Sequence, residues 1–195
     1  MNAEARRLRR ELPPGLEVEI AAGTKALPTE ETARKQILDD AQVAAIVRAA
    51  CALSADPDGD FGRLVALMAA TGARFRQLAA VNVGDLQIGR RRVLIPASHK
   101  GRSQKAKPRA VVPLEDEVIA LLQPIVVGRE ADAPLLERWA YRRGRRIEWV
   151  KDRRERWQNA HQMDALWAQT VAMAGVPDDT IPYALRHSSI VRCLR

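Results

Sequence analysis

Two arginines, far apart in the sequence, sit where a guanidinium could meet an anion. Arg74 follows the run Thr71-Gly72-Ala73 and opens a new helix, so its side chain and the free backbone N–H groups of a helix start could face one ligand. A guanidinium matches phosphate oxygens two at a time and keeps its proton. Taken alone, Arg74 could equally be an ordinary surface salt bridge. Arg186 lies in "IPYALRHSSIVRCLR" beside His187. On a helical wheel Tyr183, His187, Ile190 and Leu194 form one stripe with Arg186 at its edge. Tyr183 and His187 are therefore expected to be at least half buried, with Arg186 held rigidly beside them. The alternative for His187 is a core histidine with no ligand.

A third cationic feature lies between them. From Gln87 to Leu114 there is no acidic residue, while Arg90, Arg91, Arg92, Lys100, Arg102, Lys105, Lys107 and Arg109 all fall there. Such a run is often only a solvated face, but β-type residues flank this one on both sides. The whole chain carries 32 Lys+Arg against 24 Asp+Glu, an excess that fits a polyanionic partner.

The elements that must hold these residues can be read from period and punctuation. Residues 1–32 are charged and proline-rich without sustained period, and read as an arm or linker. "LDDAQVAAIVRAACAL" reads as a helix, with Asp39 and Gln42 as a capping box and Val43, Ile46, Val47 and Ala50 at helical spacing. A second helix carries Phe61, Leu64, Val65 and Met68 on one face and stops at Gly72, which suits a left-handed cap. A third, from about Arg74 to Val81, turns Leu78 and Val81 inward. "DLQI", "RRRVLIPA" and "RAVVPL" read as three short strands, the first turn at Gly89 and the polar tip at "SHKGRSQKAKP". Helices follow: amphipathic "EDEVIALLQPIV", strongly basic "ERWAYRRGRRIEWVKDRRERW", and "MDALWAQTVAMAG" with Leu166, Val171 and Met173. Trp139, Trp149, Trp157 and Trp167 are expected to staple these helices together. The predicted class is mainly α with a small antiparallel three-stranded sheet, that is, α+β.

Several classes are disfavoured. The apolar runs are too short to cross a bilayer, and the first residues lack the apolar stretch of a secretory signal. Cys51 and Cys193 have no metal-site spacing and read as reduced core thiols of a cytoplasmic protein. No metal or nucleotide motif is visible, and no cofactor is expected. An RNA-binding reading is opposed by the lack of an aromatic RNP-type motif.

Three boxes together resemble one family. "TGARFRQLAAVNVGDL" resembles the first arginine box of the tyrosine recombinases, the phage-integrase family. "SHKGRSQKAKPRAVVPL" resembles its β-hairpin, with a lysine at the tip and a closing V-P-L, and "PYALRHSSIVRCLR" resembles its second arginine box. The ordered triple spans about Lys35 to the end. The resemblance implies a catalytic domain over residues 33–195 that cleaves and rejoins DNA through a 3′-phosphotyrosine link. Arg74 and Arg186 match the arginines that hold the scissile phosphate. Lys100 matches the lysine that protonates the departing 5′-oxygen, with Lys105 and Lys107 as alternatives. Arg90, Arg91, Arg92, Arg102, Lys105, Lys107, Arg109 and His187 are the expected DNA contacts. Double-stranded DNA is the implied partner, with self-association on DNA in a full-length protein, nucleoid-associated when bound, and no membrane.

Two box positions depart from the pattern. Tyr183 stands where the second box normally has His, and Gln77 where the first has Glu. A phenol is a poor base near neutral pH but can still donate a hydrogen bond. The family's attacking tyrosine lies a few dozen residues beyond the second box, whereas the tyrosines here are Tyr141 and Tyr183. The catalytic domain is therefore expected to be incomplete at its C-terminus, to lack the usual preceding clamp domain, and not to cleave DNA by itself. The competing expectation is a non-catalytic DNA-binding remnant.

Overall fold

The computed structural model describes residues 36–97, 108–144 and 147–194. Residues 1–32 and, at the hairpin tip, Lys100, Arg102, Lys105 and Lys107 lie outside the described residues.

Helix α1 (Asp40–Cys51) begins on the expected capping box: Asp39 accepts from the Gln42 N–H, and the Gln42 side chain accepts from the Asp39 N–H. Helix α2 (Asp60–Thr71) starts on Gly59, which cannot cap with a side chain, so Asp56 takes that role. Its carboxylate accepts from the N–H groups of Asp60, Phe61 and Gly62. Phe61, Leu64, Val65 and Leu67 are fully buried, so α2 is enclosed on nearly every side. Each such side chain contributes about 1.5–3 kcal/mol by burial. Around it pack α1, the short α3 (Phe75–Ala79), α4 (Asp116–Leu122) and α6 (Tyr183–Cys193), while α5 (Asp164–Ala174) lies on α1. No helix among the described residues is long and apolar enough to cross a membrane.

The expected three-stranded sheet is present as an antiparallel meander of β1 (Leu86–Gln87), β2 (Arg92–Ile95) and β3 (Ala110–Pro113). Val93 and Ile95 point to the core with the period of two that a half-buried strand requires. The first strand is shorter than expected, because Ile88–Arg90 tighten into a 3₁₀ turn. Arg91, at φ 48°, takes the left-handed position there, and Gly89 does not.

The basic segment expected as a helix is instead a long antiparallel hairpin, β4 (Glu137–Arg143) and β5 (Trp149–Arg156). Its aromatic residues recur in steps of two (Trp139, Tyr141), which suits a ribbon, and the charges pair across strands. Arg138 meets Glu155 at 3.1 Å and Arg142 meets Asp152 at 3.2 Å. The register slips between Trp139 and Tyr141: Trp139 faces Arg154, but Tyr141 faces Lys151, so β5 holds one extra residue there. At its root the hairpin is tied down. Arg154 gives a fork of two hydrogen bonds, 2.6 and 2.7 Å, to the buried Asp60 at the start of α2. Arg156 donates to the carbonyls of Ala79 and Val81 and to Asn82, closing the end of α3. Lys151 reaches Asp58, and this bond holds the Asp58 carboxyl below its ordinary range.

Asp60→Ala strands the Arg154 guanidinium. A fully buried broken pair costs roughly 3–5 kcal/mol. Arg154 keeps 32% of its side chain in solvent, so about 2 kcal/mol is expected, or a melting point lower by about 4–8 °C. Thermal denaturation checks it, and in an Arg154→Met background the same change should cost clearly less.

Three further expectations need correction. Of the tryptophans, Trp167 does tie helices, buried in α5 and bonded to Thr180 ahead of α6, and Trp157 is buried at the foot of β5, edge-on to Phe75 at 6.5 Å, but Trp149 is exposed on the hairpin. Met173 is exposed as well, while Val171 is buried, because α5 meets the core by a narrower face than its composition suggests. Cys51 and Cys193 are free, but each ends a helix at the surface, so neither is a core thiol.

Candidate functional site

The site is built where α2 ends. Gly72 takes the left-handed position, φ 59°, and its N–H closes on Met68 O at 2.9 Å. The chain then leaves through Ala73, whose N–H meets Thr71 Oγ1 at 3.2 Å, and reaches Arg74 at the cap of α3. Gln77, one turn on, fixes that point twice. Its Oε1 accepts from the Arg74 N–H at 3.2 Å, and its Nε2 donates to Pro96 O at 2.7 Å. Pro96 is the exit of β2, so one amide links the Arg74 turn to the strand that leads toward Lys100. A glutamate could accept from Arg74 but could not donate to Pro96, which gives the departure at Gln77 a physical use.

Helix α6 crosses this turn. A Cβ on Gly72 would lie 2.7 Å from Ser189 Oγ and 2.9 Å from Ser189 Cβ, closer than atoms can approach. Over this contact Arg186 donates through Nη1 to the Gly72 carbonyl. The two arginine boxes thus meet at one turn: Arg186 grips the carbonyl of Gly72, two residues before Arg74. A guanidinium has five N–H donors, so one bond to Gly72 leaves others for a ligand.

The orientation of α6 is set by residues distant in sequence. Gln36 donates to Asp179 O (2.9 Å) and Asp179 Oδ2 (3.0 Å) and accepts from the Ile181 N–H at 3.0 Å. Trp167 Nε1 donates to Thr180 O at 2.7 Å, and Ser188 Oγ accepts from the Leu38 N–H at 2.7 Å. Sequence reasoning missed these positioning residues, because their partners lie too far along the chain to leave a local pattern.

The face that α6 turns inward is not the expected one. Ala184, Leu185, Ser188 and Ser189 are buried, while Tyr183, Ile190 and Leu194 are exposed, Leu194 at 83%. Small side chains let α6 come close to Gly72, and that contact outweighs the more apolar stripe. Tyr183 and His187 stack edge to face, ring centres 4.7 Å apart, on the solvent side of the helix that carries Arg186.

Three of the four described arginines of the cationic run have partners within the fold. Arg91 pairs with Asp116 at 2.7 Å, Arg92 donates to Gln87 at 2.6 Å, Arg109 pairs with the buried Asp85, and Arg90 is exposed. An exposed pair such as Arg91–Asp116 is worth little and yields readily to a stronger anion.

The family model described as "Phage integrase family" matches residues 36–194. The chain belongs to the phage integrase family. The architecture agrees with solved tyrosine-recombinase structures. Against the crystal structure of XerA recombinase the TM-score is 0.56 at 17% identity, covering 81% of this chain and 49% of that one. Against residues 82–397 of the Tn1549 transposon integrase, solved with circular intermediate DNA, the TM-score is 0.55 at 16% identity, covering 83% and 55%. The chain therefore spans about half the length of these structures. No curated protein sequence matches it. For this phage integrase family member the mainly helical fold with a small antiparallel sheet is as expected; the second, two-stranded sheet was not foreseen.

Proposed function

We propose that the chain is the phosphate-gripping part of a site-specific DNA recombinase that cuts and rejoins strands through a 3′-phosphotyrosine. The observation that carries this reading is the Arg186 bond to the Gly72 carbonyl, at the turn from which Arg74 departs. In the proposed reaction a tyrosine oxygen attacks a backbone phosphorus, the P–O5′ bond breaks, and the ester energy is retained in the tyrosine–phosphorus bond. Arg74 and Arg186 hold the two non-bridging oxygens and offset the charge that builds there. Lys100, or Lys105 or Lys107 from the same tip, gives a proton to the departing 5′-oxygen. Tyr183 serves as a hydrogen-bond donor in the place of the usual His. Tyr141 lies on the β4–β5 hairpin and Tyr183 is the first residue of α6; in the proposed reaction neither is the attacking tyrosine, which is supplied from outside residues 36–194.

Duplex DNA is the proposed substrate, with copies of the protein associating on it; the integrase neighbour is described in complex with DNA. Binding should release counterions from several phosphates. Affinity for a duplex oligonucleotide should fall about 100-fold or more between 50 and 200 mM salt, as about four phosphate contacts require. Equal affinity at both salt concentrations, read by fluorescence anisotropy, would overturn the reading. A second reading, a DNA-binding remnant without chemistry, draws on the phenol at position 183, which replaces a proton-transferring imidazole.

A further inference from the structure

The β4–β5 hairpin plays no part in the phosphate site, yet it concentrates charge and exposed rings. Residues 137–156 carry nine Arg or Lys and four Asp or Glu. The root is neutralised by its ties to Asp58 and Asp60, whereas the distal half is not. There Arg142 and Arg153 share Asp152, Arg153 also reaches Glu155 at 3.4 Å, and Arg143 is exposed beside the rings. In the same half Trp149 is 70% exposed and Tyr141 49% exposed.

Their arrangement is specific. Tyr141 faces Lys151 and Arg143 faces Trp149, so both rings lie on one side of the ribbon as diagonal neighbours on adjacent strands. An open groove at the ribbon is lined by Tyr141 and Trp149 together with cations and the carboxylates of Asp152 and Glu155. Paired bases in a duplex hide their flat faces; unpaired bases present them. A platform of rings set among cations suits a single strand, whose bases stack on the rings while its phosphates meet the guanidiniums.

We propose that the distal half of this hairpin binds unpaired, single-stranded DNA, with Tyr141 and Trp149 as the stacking surface and Arg143, across from Trp149 on the same side, as a phosphate contact. The inference rests on the recombinase reading in one respect: a strand cut from its duplex must unpair before it joins another. The hairpin would hold the strand at that stage. Because its root is tied to α2 and α3, the platform stands in a fixed place on the domain.

The test uses the whole chain with two probes, a 20-nucleotide oligothymidylate and a duplex of about 20 base pairs. The double variant Tyr141→Ala/Trp149→Ala should bind the oligothymidylate about tenfold or more weakly, while its duplex affinity stays within about twofold. Trp149→Phe keeps a ring and should keep most of the single-strand affinity, which separates stacking from a loss of structure. Unchanged oligothymidylate binding in the double variant, or an equal loss on both probes, overturns the proposal. Duplex binding with no single-strand binding by the unmodified chain defeats this proposal alone. Binding of neither probe defeats the recombinase reading as well.

Discussion

Arg186→Ala is expected to lower covalent capture of a nicked DNA substrate by about 10²- to 10³-fold, with duplex affinity nearly unchanged. The measurement requires a polypeptide that includes this chain and the attacking tyrosine, with the trapped protein–DNA adduct counted on a denaturing gel. The size follows from removing one positioned donor from charge that develops only as the bond breaks. Binding is spared because the remaining cations still meet the DNA backbone. Arg74→Ala should lose a similar factor. Tyr183→Phe should lose less than either, since it removes one neutral donor and leaves both guanidiniums in place. Capture at the unmodified rate by either arginine variant would remove the site assignment. A loss in Tyr183→Phe as deep as in Arg186→Ala would give the phenol a direct part in proton transfer.

The second large effect concerns Gly72→Ala. The new methyl meets two penalties. The backbone there is at φ 59°, a region that costs a side chain about 1 kcal/mol or more, and Ser189 already occupies the space. Overpacking of a tight contact adds about 1–3 kcal/mol. A loss of about 2–4 kcal/mol is expected, read from denaturant unfolding, together with weaker covalent capture, because α6 must move away and takes Arg186 with it. Ser189→Gly in the same chain removes the clashing atoms but leaves the backbone penalty. It should therefore recover part of the stability and most of the capture. If Gly72→Ala alone leaves both properties unchanged, α6 does not rest on that turn.

Much of this could be read from the chain alone. The capping box at Asp39, the left-handed Gly72 and the three short strands each leave a local mark: a side chain of the right type, a residue without Cβ, or an alternation of two. The arginine boxes were legible for the same reason. The buried face of α6 was not, since it depends on the fit of Ser188 and Ser189 against Leu38 and Gly72, residues far away in sequence. A wheel ranks faces by apolar content, and here closeness of approach decided. The hairpin was misread because eight arginines and a lysine obscured the alternation of its rings. Its stability comes from Asp58, Asp60 and the carbonyls after α3, none of which lies near it along the chain.

The additional residue in β5 has a consequence for the chemistry of the ribbon's two sides. With an uninterrupted ladder continued from the Trp139–Arg154 pair, Asp152 would sit across from Tyr141 and Val150 across from Arg143. Because of the slip those places go to Lys151 and Trp149. A single odd step thus sorts the outer strand, sending an acid and an aliphatic to the reverse and bringing an amine and an indole to the obverse. Deleting one of the two residues that face Ala140 would restore even counting and still leave Lys151 across from Tyr141 and Trp149 across from Arg143, so the bend can be removed without exchanging the two sides.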